Sequence, residues 1–468
     1  MQTVRRFLRG IHLLFLTASI FCFNASACTK NDLVLAIDAS AEFHRMTLNK
    51  AKYGYVYSSP HKKYENRRKF ERANVISLQH DLQIIKNLKS TISHLSTDHD
   101  TKVLFYGKSD SARCVWLIGH SEEILSSQLD AESKHALDSL KDTLGVTYES
   151  RRPRSGDECI FTQTARTIHA DDGLTSSEQA LFAAAQYLLP SAITNALIQD
   201  KSTKRLIIVP YDNLRSMPFG ALPLGASKLA VIDKFAIVMA PKMPSITTSP
   251  VQTPNNDQHL GDIRKSLVIG DPDLSQHRDY CWSQLPNALS EAKHVAERAG
   301  DGNPLVGPNA TFDAVRSRLE IGADSLQLIF FATHGMSNHV DPADKSFLAL
   351  KDAHFRGADI RKLKKKFSRR PIVVMSACQT GLGKTFAQGM FGLIEAWQHA
   401  GASQVVASLW DVNDEGTALL MKYFAESLVN ANFKNSEFAL AEAMRETRKI
   451  KPHPSVWAAF NVYGEPTR

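Results

Sequence analysis

Leu328-Ile329-Phe330-Phe331-Ala332-Thr333-His334-Gly335 and Ile372-Val373-Val374-Met375-Ser376-Ala377-Cys378-Gln379-Thr380-Gly381 share one design. Each is an apolar run that ends in one reactive side chain and a glycine-containing turn. Unbroken apolar runs of this length fit strands buried on both faces, as in parallel sheets covered by helices. In open parallel sheets, ligands and catalytic groups collect at the carboxyl ends of strands. His334 and Cys378 are 44 residues apart, which suits a crossover through a helix to a neighbouring strand. Such a connection brings both tips to one sheet edge.

Similar runs lie at Arg205–Pro210, Ser266–Gly270 and Gln404–Leu409. Helical patterns fall between several of them, at Ser290–Ala299, Phe312–Leu319 and Phe391–His399. Strands alternating with helices predict an α/β fold with a mainly parallel sheet sandwiched between helices. Upstream, Lys102–Tyr106 and Val115–Gly119 read as a strand pair around Lys108-Ser109-Asp110. Residues 121–142 and 177–198 read as helices, and the polar stretch 148–175 as loop. The proline-rich stretch 241–262 reads as a linker loop. The expected organisation is a signal peptide at 1–27 and a helical segment at 28–100. A first part at 101–240, the linker, and a catalytic part at 263–468 follow.

The composition, 43% hydrophobic and 22% charged, is that of a globular chain. No repeat of 20–50 residues stands out, and one apolar stretch near the start is the sole candidate for a membrane span. Arg5, Arg6 and Arg9 precede the apolar stretch Ile11–Phe23, and Ala25-Ser26-Ala27 supplies small residues for cleavage. This is the pattern of a secretory signal peptide cut after Ala27, and the expected location is the periplasm or outside the cell. An uncleaved anchor, and a lipoprotein acylated at Cys28, are the alternatives. Ala25 stands where a lipoprotein signal usually has Leu. Membrane association is expected only with that lipid.

Loss of residues 1–27 takes the formal charge from +8 to +5. Seven of the basic residues lie in Arg361–Arg370. No aromatic base-stacking pattern accompanies that run, so it reads as a solvated face and no nucleic acid partner is expected. Cys28, Cys114, Cys159, Cys281 and Cys378 remain after cleavage, an odd number that leaves at least one thiol unpaired. Cys114 with Cys159 is one pairing among several.

A cysteine nucleophile acts as its thiolate, and a nearby imidazole supplies the base and later protonates the leaving amine. Small residues after His334 and Cys378 let backbone N–H groups approach a developing oxyanion. Other motifs carry less. Gly381-Leu382-Gly383-Lys384-Thr385 ends like a phosphate-binding loop, but Cys378 occupies the place of its first glycine. The histidines show no paired metal-ligand spacing, and no G-x-S-x-G elbow occurs. No metal or cofactor is expected.

Ala332-Thr333-His334-Gly335 and Ser376-Ala377-Cys378-Gln379-Thr380-Gly381-Leu382-Gly383 closely resemble the two signatures of CHAT domains, caspase-like domains related to caspases and separase. Leu206–Pro210 through Leu214–Pro223, Ala400–Glu415 and Trp457–Phe460 resemble further blocks of that family. The resemblance implies a caspase-like fold and a cysteine endopeptidase acting on a protein or peptide substrate. His334 is then the general acid/base and Cys378 the nucleophile, with the backbone N–H groups of Gly335 and Cys378 as the oxyanion hole. In related peptidases an acidic pocket selects a basic side chain before the scissile bond. Asp411, Asp414 and Glu415 are the candidates here, with helix capping as the alternative role for Asp414 and Glu415. The tetratricopeptide repeats of many members are not found upstream, so an activating partner is unidentified. A catalytically silent binding or scaffold protein is the alternative function.

Overall fold

Every residue of Leu328–Ala332, Ile372–Ser376 and Gln404–Ser408 is buried, and the three segments lie side by side as parallel strands. The structure, a computed structural model, describes residues 28–29, 32–33, 36–37, 100–108, 112–119, 124–130, 135–144, 172–227, 229–240, 265–275, 277, 282, 285–336, 345–377, 385–386, 389–390, 392–410 and 414–465. Its strands are β1 (Thr101–Lys108), β2 (Arg113–Ile118), β3 (Ile124–Leu129), β4 (Arg205–Val209), β5 (Ala236–Met239), β6 (Ser266–Pro272), β7 (Leu305–Gly307) and β8 (Leu328–Ala332). They continue as β9 (Gly335–Met336), β10 (Phe347–Ala349), β11 (His354–Arg356), β12 (Ile372–Ser376), β13 (Thr385–Phe386), β14 (Gly389–Met390), β15 (Gln404–Ser408) and β16 (Phe460–Gly464).

Eleven of these form one sheet in the order β3-β2-β1-β4-β5-β16-β15-β12-β8-β6-β7. Strand β16 lies between the two parts of the chain, parallel to β5 and antiparallel to β15. Two parallel sets of opposite direction therefore share one sheet, and both sides of 241–262 contribute strands to it. A smaller sheet, β9-β10-β11, grows directly from the end of β8.

The helices used below are α1 (His135–Thr143), α2 (Asp172–Leu188), α3 (Ser191–Gln199), α4 (Pro286–Ala299), α5 (Phe312–Ile321), α6 (Gly357–Arg361), α7 (Leu393–Ala400), α8 (Asp414–Asn430) and α9 (Ser436–Ile450). Helix α4 packs on β6 and β8, α8 packs on α4, and α9 joins α8 to β5 and β16. Gly270 of β6 lies so close to α4 that any Cβ there would overlap Ala292. Gly270 pairs with Ala332 in register, whereas Phe331, one residue back, packs its ring against Trp397 of α7. Successive side chains alternate across a strand, so α4 and α7 cover opposite faces. The sandwich expected from the alternating runs is therefore present.

A buried ion pair ties the two parts together. Arg205 of β4 donates from Nε to Glu437 Oε1 at 2.8 Å, and Gln404 of β15 donates from Nε2 to Glu437 Oε2 at 2.9 Å. Glu437 opens α9 and its side chain is out of water.

Several expectations change. Residues 121–142 are not one helix: β3 pairs antiparallel with β2 along the sheet edge, and among the described residues there helix is confined to His135–Thr143. The helix expected at 177–198 is two, α2 and α3, bent by 98° around Pro190. Residues 172–175 belong to α2, and the rest of 148–175 lies outside the described residues. The linker 241–262 also lies outside them, as does most of 28–100. The partner of Cys114 is Cys28, not Cys159. This disulfide sits in a second apolar cluster with Leu33, Val103, Phe105, Trp116 and Ile207, where Trp116 Nε1 donates to the Thr29 carbonyl at 3.3 Å.

Candidate active site

His334 follows β8 after a single residue, Thr333, and the backbone there is bonded on both sides. Thr333 N donates to the Ser376 carbonyl at 3.3 Å, continuing the β8–β12 ladder past its last pair. Thr333 Oγ1 donates to the Ala349 carbonyl at 2.8 Å, and Ala349 N donates to the His334 carbonyl at 2.8 Å. These bonds hold the histidine between the main sheet and the small sheet, with 2% of its surface exposed. Gly335 is buried and pairs with Leu348 of β10.

Strand β12 ends at Ser376, whose register partner is Ala332. The next residue, Ala377, is buried, and its carbonyl accepts a hydrogen bond from the Ser408 hydroxyl of β15. Cys378 and Asp411 lie outside the described residues.

Aromatic rings stand around His334. The Trp282 indole lies 4.9 Å from its imidazole at 33°. His354 stacks on Phe347 at 3.8 Å and on His277 at 5.3 Å. His277 Nε2 donates to the Leu350 carbonyl at 2.6 Å.

Carboxyl groups gather on the α4 side of this edge. Glu291 of α4 is buried, and its carboxyl faces the Ser376 hydroxyl. Burial pushes the Glu291 carboxyl up to about 8; the Ser376 hydroxyl offsets part of this and the Asp414 charge adds to it. Asp414, first residue of α8, accepts from Asn287 N at 3.0 Å and Asn287 Nδ2 at 2.9 Å. It thus caps the first turn of α4, one turn before Glu291, as well as opening its own helix. Asp271, at the left-handed φ of 42° near the end of β6, is raised by burial and by the charges of Asp414 and Asp273. Glu415 points elsewhere: it pairs with Lys451 at 3.0 Å and is largely exposed.

The structure therefore brings together His334, Gly335 and the end of the strand leading to Cys378, sets Asp414 against the first turn of α4 near Glu291, and turns Glu415 to Lys451. Trp282, His277, His354, Glu291 and Ser408 are the additions. None lies in a pattern that singles it out in sequence, except that Glu291 is an acid on the apolar side of a helix. Among the described residues no group of three His, Cys, Asp or Glu is arranged to hold a metal ion.

The sequence model described as "CHAT domain" matches residues 178–465. Two curated relatives, tetratricopeptide repeat protein 28 of Mus musculus and of Homo sapiens, are 26% identical over 310 residues and 27% identical over 304. Each match covers 56% of this chain, which spans 12% of the length of either relative. A crystal structure of the Saccharomyces cerevisiae separase–securin complex superposes with a TM-score of 0.52 at 10% identity. The superposition covers 83% of this chain and 31% of that one, and at such identity the likeness is one of fold. The architecture is caspase-like α/β.

Proposed function

The chain belongs to the CHAT domain family, and from that premise we propose that it is an exported cysteine endopeptidase working through His334 and Cys378. The observation that carries this reading is one of register. Ala332 pairs with Ser376 at the ends of their strands, and His334 and Cys378 each come two residues later in the sequence.

In the proposed reaction His334 takes the thiol proton of Cys378, and the thiolate attacks the scissile carbonyl carbon. The backbone N–H groups of Gly335 and Cys378 receive the oxyanion. The imidazolium gives its proton to the leaving amine as the C–N bond breaks, leaving a thioester. Water, deprotonated by His334, releases the acid and restores the thiol. The reaction needs these protein groups and one water, and the substrate is a protein or peptide segment. Asp414, held at this edge by Asn287, and Asp411 are the acids assigned to a pocket for Lys or Arg before the cleaved bond. Glu415 takes no part.

Export draws on residues 1–27 and on the Cys28–Cys114 disulfide, a bond suited to an oxidising compartment. A Cys28 sulfur joined to Cys114 is not free to carry a lipid. The test is cleavage of a diverse peptide library by the chain without residues 1–27, beside its Cys378→Ala variant. Cleavage after Lys or Arg that depends on Cys378 is expected. Cleavage after other residues would remove the acidic pocket, and none by either protein would favour the second reading. That reading is a catalytically silent scaffold. It draws on the names of the curated relatives, which refer to repeats and not to a reaction.

A further inference from the structure

The Trp282 indole and the His334 imidazole lie 33° from parallel with centres 4.9 Å apart. His334 is 2% exposed, so little water screens the contact. Trp282 is itself braced: it stands at 89° to Phe347, with centres 6.1 Å apart, and at 82° to His354, at 6.3 Å. The stack of His354 on Phe347 and His277, tied to Leu350 through His277, makes that brace firm.

The face of an indole is the negative part of its quadrupole and attracts a cation. Neutral imidazole gains little from it and imidazolium gains more. We infer that Trp282 is a positioning residue for the dyad, its indole fixing the His334 ring and favouring the imidazolium form, and with it the Cys378 thiolate. This rests on the reading of His334 as the base. Among the described residues the other titratable groups on this side of the sheet are His277 and His354 in the aromatic wall, Asp271 near the end of β6, Glu291 on α4 and Asp414 on α8. Of these, His354 touches Trp282 directly, so Trp282→Phe, which keeps a ring beside His354, is compared with Trp282→Leu, which does not.

The experiment is an NMR titration of His334 in the chain without residues 1–27, carrying Cys378→Ala, with Trp282, Trp282→Phe or Trp282→Leu. The midpoint is expected to fall by about one pH unit with Leu and by less with Phe, as a desolvated cation–π contact implies. Trp282→Phe keeps an aromatic ring in the site should the Leu variant not fold. With Cys378 restored, its alkylation by iodoacetamide near pH 6 is expected to slow roughly threefold to tenfold with Leu. A Trp282 that serves packing alone lowers the melting temperature and leaves the midpoint in place. An unmoved or raised midpoint in both variants overturns the inference. A shifted midpoint without any peptide cleavage keeps it and removes the peptidase reading; Cys378-dependent cleavage with an unmoved midpoint does the reverse.

Discussion

Ala332 of β8 and Ser376 of β12 are partners in a parallel ladder, each two residues before a candidate catalytic side chain. Adjacent strands lie about 4.8 Å apart. His334 and Cys378 stand at equal sequence offsets from this shared pair, as the proposed nucleophile and base require.

The Ser408 hydroxyl fixes the Ala377 carbonyl, immediately before Cys378. Ser408→Ala deletes one buried hydrogen bond to that carbonyl, worth about 1 kcal/mol. Peptide turnover is expected to fall roughly tenfold with a small change in melting temperature. Unaltered kcat would show that this bond does not position the nucleophile.

Glu291 and Glu395 give the stability of the protein a definite pH dependence. Burial pushes Glu291 up to about 8 and Glu395 up to about 7, the latter against the pull of Arg361 and Arg215, from an ordinary value of 4.5. The folded state therefore keeps protons that the unfolded chain releases. Stability from these groups is whole below about pH 4.5 and declines as pH rises through about 7 and then 8. Glu291→Gln removes its share of that decline, between about pH 4.5 and 8. Near pH 9 the variant is expected to be more stable than the parent by on the order of 1–3 kcal/mol. Chemical denaturation across pH checks this, and parallel curves for the two proteins would contradict it.

Glu437 serves both Arg205 and Gln404, so its loss leaves a largely buried guanidinium with only the neutral partners Thr101 and Asn435. Glu437→Ala is expected to cost roughly 3–5 kcal/mol in denaturant unfolding. Arg205→Ala in the same chain is expected to recover part of this. A double variant as unstable as the sum of the single ones would show that the pair is not coupled.

The apolar runs at β4, β6, β8, β12 and β15 were legible because both faces of these strands are buried. Strand β3 was not: Ile124-Leu125-Ser126-Ser127-Gln128-Leu129 is half exposed at the sheet edge and lacks an apolar run. The insertion of β16 between β5 and β15 is a long-range pairing that no local pattern in Phe460–Gly464 announces. His334 stood out because it ends a buried strand. Trp282, His277 and His354 sit in or beside loops, and only tertiary packing gathers them. Local sequence offers Asp414 as a cap for its own helix or a pocket acid, but not the contact its carboxylate makes with Asn287 of α4, across 127 residues of sequence.

The Cys28–Cys114 bond spans 86 residues and ties the segment at 28–37 to β2. Replacing both cysteines by serine is expected to lower stability by roughly 3–5 kcal/mol, chiefly by freeing the unfolded chain. The N-terminal segment should then be cut faster by trypsin. Equal melting temperature and equal proteolysis would contradict the role given to this bond.

The central claim is that His334 activates Cys378, and thiol reactivity tests it without knowledge of a substrate. The measurement is the alkylation rate of Cys378 near pH 6.5, followed by mass spectrometry of its peptide. It compares the folded chain without residues 1–27, its His334→Ala variant, and the denatured chain as the free-thiol standard. The account predicts alkylation at least roughly tenfold faster in the folded protein than in either of the others, as a thiolate stabilised by imidazolium requires. Equal rates in all three would contradict it.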